Sequence, residues 1–375
     1  MKTKILIVDD SRVFRSVVEE SLSGESDIEV IGSVRNGIKA IEFISSNPPD
    51  LITLDVEMPD MDGLETLKAI QEINRSHAKH GNETDPNRRN ETKDSVHPIG
   101  VIMISSFTSR GADITIKALE AGAFDFITKP EGKSIEESMK ILRRQLLVKI
   151  RYFASRLISS HITGEIAPKN PPVFPTEFVS SSRIKAILIA VSTGGPRALA
   201  EMMPRLCEKT DIPIFIVQHM PPTFTQSLAA SLNLRCRYTV EEGKDNEVVH
   251  NNHVYIAPGG KHLVLRRKSG EIITVTNMYP PENGCRPSAD MLFRSAVSVW
   301  QGDLIAIILT GMGTDGTKGA AVLKKAGAYI IVQDEESSIV WGMPRSVKDS
   351  GNADEILSLS DIPDAVGKRI RGLEG

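Results

Sequence analysis

Ile5-Leu6-Ile7-Val8-Asp9-Asp10 is an apolar run that stops abruptly at paired acids, and Leu51-Ile52-Thr53-Leu54-Asp55 is a second apolar run ending in an acid. Short runs without polar alternation read as strands buried on both faces, the pattern of a parallel sheet covered by helices. Two such strands deliver three carboxylates to one sheet edge. Strand-like runs at 4–9, 28–34, 50–55, 100–105 and 124–128 are each followed by a helix-like stretch, with Val17, Val18 and Leu22, then Ile38, Ile41 and Ile44, then Leu64, Leu67 and Ile70 at helical spacing. Five β-α units imply an open, doubly wound parallel sheet with its chemistry at the carboxyl ends of the strands. Asp9, Asp10 and Asp55 lie at those ends and repel one another unless a divalent cation is present; an all-oxygen donor set favours Mg²⁺. Thr128-Lys129-Pro130 brings a cation to the same edge, and Ser105 a hydroxyl.

A second centre lies halfway along the chain. Ala186-Ile187-Leu188-Ile189-Ala190-Val191-Ser192-Thr193-Gly194-Gly195 is a strand that ends in a serine and turns at once through paired glycines. His219 ends the strand Ile214-Phe215-Ile216-Val217-Gln218, and Asp315 follows Leu304 to Leu309 within a glycine-rich loop. With the run at 328–333 these segments predict another parallel α/β sheet, interrupted between Tyr238 and Thr276 by an inserted β-meander. Taken singly, Ser192 is a helix N-cap, His219 a core histidine and each glycine loop a phosphate cradle. No lysine follows Gly194-Gly195 as a P-loop needs, and the dinucleotide fingerprint is incomplete. Three complementary groups at three strand ends instead suit a nucleophile, a base and an orienting carboxylate. The order Ser, His, Asp, with Ala190 two before the serine, disfavours the lipase and esterase fold, which runs Ser, acid, His around G-x-S-x-G.

The bulk properties bound these readings. A chain of 375 residues, 40% hydrophobic, exceeds the size at which one core usually divides. A net charge of -3 makes no case for nucleic acid, and the apolar runs fall far short of the roughly 20 residues that span a bilayer, so membrane insertion is not expected. Cys207, Cys236 and Cys285 are odd in number and form no C-x-x-C pair, and they read as reduced core thiols in a cytoplasmic protein. The third helix is expected to end near Asn74, before a polar insertion at about 75–98 whose His77, His80 and His97 have no acid or cysteine constellation to make a metal site. Ser134 to about Ile162 predicts a long amphipathic helix with Met139, Leu142, Leu146 and Ile150 on one face and Arg143, Arg144, Lys149, Arg151 and Arg156 on its wet face. Pro168, Pro171, Pro172 and Pro175 follow. The expected domains are 1–147, a helical and Pro-rich linker at 148–182, and 183–375.

The first domain resembles the receiver domain of two-component response regulators, a flavodoxin-like fold, through the acids, Ser105 and Lys129 at their strand ends. That resemblance implies Asp55 as phospho-acceptor; Asp9, Asp10, Asp55 and the backbone carbonyl of Glu57 as Mg²⁺ ligands; Ser105 and Lys129 as phosphoryl contacts; and Phe126 as the aromatic that repacks when Ser105 moves. The second domain resembles the chemotaxis protein-glutamate methylesterases, the CheB family. The motifs are Ser192-Thr193-Gly194-Gly195-Pro196, Gln218-His219-Met220, Tyr255-Ile256-Ala257-Pro258-Gly259, Arg286-Pro287-Ser288-Ala289-Asp290, Leu309-Thr310-Gly311-Met312-Gly313-Thr314-Asp315-Gly316 and Gly342-Met343-Pro344. Ala190-Val191 stands where the family commonly has Gly-Ala. The family implies demethylation of glutamate γ-methyl esters, and deamidation of glutamines, on chemoreceptors, with a chemotaxis histidine kinase as phosphodonor. Ser192, His219 and Asp315 are then the triad, and the N–H groups of Thr193 and Met312 the oxyanion hole, with no metal in the second domain. The unphosphorylated receiver is expected to restrain the active site. A receptor-binding scaffold without catalysis and a hydrolase of small esters are the competing classes.

Overall fold

The computed structural model describes residues 2–81, 97–130, 134–162 and 184–372. The chain divides into two compact units, Met1–Asn170 and Pro171–Gly375. The first contains β1 (Thr3–Val8), α1 (Arg12–Leu22), β2 (Ile28–Val34), α2 (Gly37–Ser46), β3 (Leu51–Asp55), α3 (Gly63–Gly81), β4 (Gly100–Ser105), α4 (Ser109–Glu120), β5 (Asp125–Thr128) and α5 (Ile135–Ile162). Its strands run in the order β2-β1-β3-β4-β5, all parallel. β3 and β4 are buried throughout because helices cover both faces, which accounts for their unbroken apolar sequence. Ser11, Asn36 and Thr108 cap α1, α2 and α4 by accepting a first-turn N–H. Asp62 and Glu65 form a reciprocal capping box at α3.

Two expectations for this unit change. α3 does not stop near Asn74 but continues to Gly81, and the rest of the insertion, residues 82–96, lies outside the described residues. The wet face of α5 is paired in part: Arg143 and Arg151 reach Glu25, Arg151 also reaches Asp27 at 2.8 Å, and Lys149 reaches Asp125. The apolar face behaves as its spacing suggests, with Leu142, Leu146 and Ile150 fully buried. Burial continues to Phe153, whose ring meets Phe124 edge-on at 5.3 Å and lies over Gly100, where a Cβ would come within 2.4 Å of it. The helix therefore packs on the first unit beyond residue 147. The Pro-rich stretch at 163–183 lies outside the described residues.

The second unit contains β6 (Ala186–Val191), α6 (Gly195–Lys209), β7 (Ile214–Gln218), α7 (Phe224–Asn233), β8 (Thr239–Glu242), β9 (Glu247–Val248), β10 (His253–Ile256), β11 (His262–Lys268), β12 (Glu271–Asn277) and α8 (Ala289–Trp300). It continues with β13 (Leu304–Ile308), α9 (Thr317–Ala326), β14 (Tyr329–Gln333), α10 (Met343–Asp349), β15 (Glu355–Leu357) and α11 (Ile362–Gly372). Seven strands form a parallel sheet in the order β15-β14-β13-β6-β7-β10-β8. The inserted meander is smaller than its sequence suggests, since β8 and β10 join the parallel sheet. Only β9, β11 and β12 form a separate antiparallel sheet, in the order β11-β12-β9. Ser269 and Gly270, both at positive φ, make the two-residue turn between β11 and β12. From β6 the chain first moves to β7 on one side and later returns as β13 on the other. The carboxyl ends of β6, β7 and β13 thus meet at the reversal of strand order, where open α/β sheets form their crevice. Among the described residues, no helix is long and apolar enough to cross a membrane.

Phe153→Ala should destabilise the first unit by about 3 kcal/mol, the usual cost of removing a buried aromatic ring. Denaturant unfolding of the full chain checks this. A loss near zero would remove the helix beyond residue 147 from that unit's core.

Candidate functional site

Ser192 follows a strand buried along its whole length, and the turn after it depends on glycine. Gly194 has φ of +80°, and a Cβ at Gly195 would come within 1.9 Å of Gln218 Oε1. Gln218 Nε2 donates to the Ser192 carbonyl at 2.9 Å, so the glycine leaves room for the side chain that holds the Ser192 backbone. From the other side, a Cβ at Gly311 would approach Ser192 Cβ to 2.8 Å. Ser192 N–H donates to Thr310 O at 3.0 Å, and Thr310 Oγ1 donates to Thr193 O at 3.0 Å. The loops after β6 and β13 are thereby locked together. Thr193 is buried, and among the described residues the Met312 N–H beside Gly311 is left without a hydrogen bond.

His219 leaves β7 with its N–H donated to Val191 O at 3.2 Å. Its ring Nε2 lies 2.8 Å from Asp315 Oδ2. Asp315 is 1% exposed, and its carboxylate also accepts from Ser288 Oγ at 2.7 Å, Ala289 N at 2.7 Å, Asp290 N at 3.3 Å and Asn283 Nδ2 at 3.3 Å. Burial alone would raise its pKa; the His219 hydrogen bond and charge, Ser288 and Ala289 outweigh it and hold the group at about 2. The opposite balance acts on His219. Burial disfavours the imidazolium, but Asp315 and the Cys285 thiol push its pKa from 6.5 up to about 10. Cys285 Sγ lies 3.8 Å from His219 Nδ1. Ser192 and His219 share no hydrogen bond among the described residues; such contacts often tighten only around substrate.

Sequence reasoning placed Ser192, His219 and Asp315 at one edge, and the structure brings them to one crossover. It missed several neighbours, Asn283 among them. Ser288 and Ala289 stand in the Arg286-Pro287-Ser288-Ala289-Asp290 motif, but no role had been read there. The available signal was that Ser288 sits at the N-cap of α8 without capping it, because its hydroxyl serves Asp315. Gln218 ends β7 as its sequence suggests, but nothing in the pattern shows its side chain reaching the Ser192 carbonyl. The core-thiol expectation holds for Cys207 alone: Cys236 is half-buried, and Cys285 is half-buried beside the histidine.

On the first unit, Lys129 Nζ lies 2.8 Å from Asp55 Oδ2 and 2.9 Å from Asp9 Oδ2. Asp9 and Asp55 are buried at 2% and 3% exposure, while Asp10 is exposed. Oxygens of all three acids lie within 4.8 Å of one another. Burial, then the Asp9 charge, raises the Asp55 pKa to about 6 in spite of Lys129. For Lys129, burial works against the charge, and the two carboxylates overcome it and raise the pKa. Asp9 Oδ2 faces the ammonium without an aligned hydrogen bond. One ammonium among three acids leaves a negative charge and an unsatisfied buried oxygen, which suits a hard divalent cation. Arg15 fixes the β1–α1 loop by donating to Asp9 O at 2.7 Å and Asp10 O at 3.2 Å. Ser105 is buried at the end of β4 with Oγ donated to Ser106 O at 3.2 Å, and Phe126 is buried on adjacent β5. Glu57 is exposed two residues beyond Asp55, its carboxylate 3.7 Å from Arg110.

A carboxylate–lysine pocket on one parallel sheet and a serine, histidine and aspartate at the crossover of a second are the groups expected of a receiver-linked hydrolase. Comparison with known proteins agrees along the whole chain. The CheB methylesterase profile matches residues 187–366, and the response regulator receiver domain profile matches residues 5–79. The chain is 39% identical over 372 residues to the protein-glutamate methylesterase/protein-glutamine glutaminase of Trichodesmium erythraeum, covering 98% of this chain and 99% of the relative. The protein of the same name from Desulfotalea psychrophila is 40% identical over 372 residues, with 96% of each chain covered. A solved structure, the CheB methylesterase catalytic domain of Thermotoga maritima, is 42% identical over 49% of this chain and 98% of its own, with a TM-score of 0.48. The chain belongs to the CheB methylesterase family, with a receiver domain preceding the esterase domain.

The charge balance at His219 makes a measurable statement. A raised pKa means that the imidazolium contributes stability fully below pH 6.5 and loses it as pH rises through about 10. In the full-length protein with ¹⁵N-labelled histidine, the His219 ring should keep its proton through neutral pH, and Cys285→Ala should lower the midpoint. A midpoint at or below 6.5 would show that Asp315 does not hold the charged ring.

Proposed function

We propose that Ser192, His219 and Asp315 carry the protein-glutamate methylesterase reaction of this chain, removing methyl groups from glutamate γ-methyl esters of chemoreceptors and, by parallel chemistry, amide nitrogen from glutamine. The observation that supports it most is the 2.8 Å contact of His219 Nε2 with the buried Asp315 carboxylate at the sheet edge that bears Ser192. With Nε2 turned to Asp315, Nδ1 holds the lone pair that accepts the serine proton. Ser192 Oγ attacks the γ-carbonyl carbon, and the proton passes to His219. The tetrahedral oxyanion is met by the N–H groups of Thr193 and Met312; one such donor is worth about 3 kcal/mol in the transition state. As the carbon–oxygen bond breaks, His219 returns the proton to the leaving methoxide, and methanol departs. Water then attacks the acyl-serine through the same base, restoring Ser192 and leaving a glutamate carboxylate. From glutamine the leaving group is ammonia. The resting imidazolium must first lose its proton for His219 to act as base, so activity rises with pH.

The receiver reading assigns Asp55 as the phospho-acceptor. Asp9, Asp10, Asp55 and the Glu57 carbonyl would hold Mg²⁺, which neutralises charge on the phosphoryl group during transfer. Lys129 and Ser105 then contact the phosphoryl oxygens. Moving Ser105 from Ser106 O toward the phosphate opens space that Phe126 fills, altering the surface of this unit. The phosphodonor is a histidine kinase of the chemotaxis system. A cytoplasmic place of action follows from that donor and from the cytoplasmic helices of the receptors.

Ser192→Ala should abolish methanol release from radiomethylated receptor membranes while leaving receptor binding intact. Turnover near wild type in the purified variant would remove Ser192 from the mechanism, and binding without release by the wild-type protein would favour a scaffold. Asp55→Asn should take up no phosphate from a small phosphodonor with Mg²⁺, whereas the wild type should gain a base-labile label. Undiminished labelling of the variant would place the acceptor elsewhere.

A further inference from the structure

His219 has two ring nitrogens and three claimants. Nε2 is taken by Asp315 Oδ2 at 2.8 Å, and that bond sets the tautomer with the lone pair on Nδ1. Nδ1 faces Cys285 Sγ at 3.8 Å, and Ser192 makes no competing hydrogen bond among the described residues. Donor atoms of His219, Cys285 and Asp315 lie within 4.8 Å of one another. The proposed hydrolysis uses no thiol, and Cys285 therefore sits in the crevice without a catalytic task.

We infer that Cys285 Sγ and His219 Nδ1 form a binding site for a borderline-soft divalent cation, Zn²⁺ in the first instance, that switches the esterase off by occupying the lone pair Ser192 needs. A tetrahedral ion with usual Zn–S and Zn–N bonds holds sulfur and nitrogen about 3.6 Å apart, so the observed 3.8 Å needs almost no adjustment. Asp315 supplies the remaining requirement. A metal-bound imidazole normally donates its other N–H to a carboxylate, and here that carboxylate is already fixed by Ser288, Ala289 and Asn283. His219 is 13% exposed and Cys285 half-exposed, leaving the other coordination positions to water. On binding at neutral pH, the Cys285 thiol and Nδ1 of the His219 imidazolium each give a proton to solvent as sulfur and nitrogen take the cation; no electron moves. The oxygen-only acids of the first unit prefer Mg²⁺, so the two clusters take different cations. This inference rests on His219 as the base, and the test separates the two.

The full-length protein is titrated with Co²⁺ and then Zn²⁺. Wild type should show thiolate-to-cobalt charge-transfer absorption that Zn²⁺ displaces, and Zn²⁺ should stop methanol release until a chelator is added. Cys285→Ala should still release methanol without metal, with its pH profile shifted to lower pH as the His219 midpoint falls, lose the band, and need at least about a hundredfold more Zn²⁺ for half-inhibition relative to its own metal-free rate, the upper end of what losing even an outer partner costs. Cys285→Ser replaces it if the alanine variant does not fold. His219→Gln should weaken cobalt binding, while Cys207→Ser with Cys236→Ser should leave the band intact. A band or a zinc inhibition that survives loss of Cys285 overturns the site, as does absence of the band in an active wild type. A wild-type band with undiminished methanol release overturns the competition for Nδ1 and with it the role of His219 as base.

Discussion

The second unit is organised around one buried negative charge. Asp315 has almost no contact with solvent, and a carboxylate in that position is tolerated only if fixed donors replace water. Four donors come from the segment 283–290 at the start of α8, and the fifth is the ring of His219 at the end of β7. The acid itself arrives from the loop after β13. Satisfying this one group therefore specifies the relative positions of a helix start, a strand end and a loop that lie far apart in the chain. Removing any donor leaves the others around an under-compensated charge, which costs more than the hydrogen bond itself. Gly311 and Gly195 serve the same arrangement, since a side chain at either would push Ser192 or Gln218 out of register with the histidine.

The first unit handles buried acids in the other way. Asp9 and Asp55 have one ammonium between them, and Asp55 has its pKa raised to about 6 where Asp315 has its own lowered to about 2. Backbone and hydroxyl donors saturate the carboxylate of the esterase unit, so that it orients a base permanently. The receiver acids are left short of positive charge, so that their state changes with what binds. If Asp55 is the phospho-acceptor proposed above, that deficit helps, because cation and phosphoryl group supply what the protein withholds. Both sites occupy strand ends of parallel sheets, yet they differ in whether the fold itself completes the electrostatics.

This difference also explains what could be read from sequence. β1, β3, β4, β6, β7, β13 and β14 announce themselves because strands covered on both faces are apolar at every position, and the residue that ends such a run is the residue at the chemical edge. Asp55, His219 and Ser192 were legible for that reason. β8, β9, β10 and β15 were not, being two to four residues long and mixed in burial, so that their sheet membership comes from neighbours and not from pattern. α3 passes the expected stop at Asn74 because the polar residues after it, beginning with the exposed Arg75 and Ser76, still form helix; Asn74 itself bonds Ile99 in both directions and so looks like a terminus without being one. Asn283, Ser288 and Cys285 reach the site from a connecting segment, and only tertiary closeness gives them a role. A motif located Ser288 alone among them. Geometry says what they touch.

The single lone pair on His219 Nδ1 is where these constraints converge. Because Asp315 holds Nε2 and is itself held by four other donors, the ring has little freedom to turn and present its other nitrogen. In the proposed mechanism a rigid base suits a serine deprotonated in a defined direction. The same rigidity means that any group placed opposite Nδ1 competes directly with the proposed nucleophile, with no conformational route around it. The thiol of Cys285 is such a group, and it also raises the proton affinity of the ring. A ligand on Nδ1 occupies a single atom, and in doing so removes the proposed base from every conformation of the protein at once.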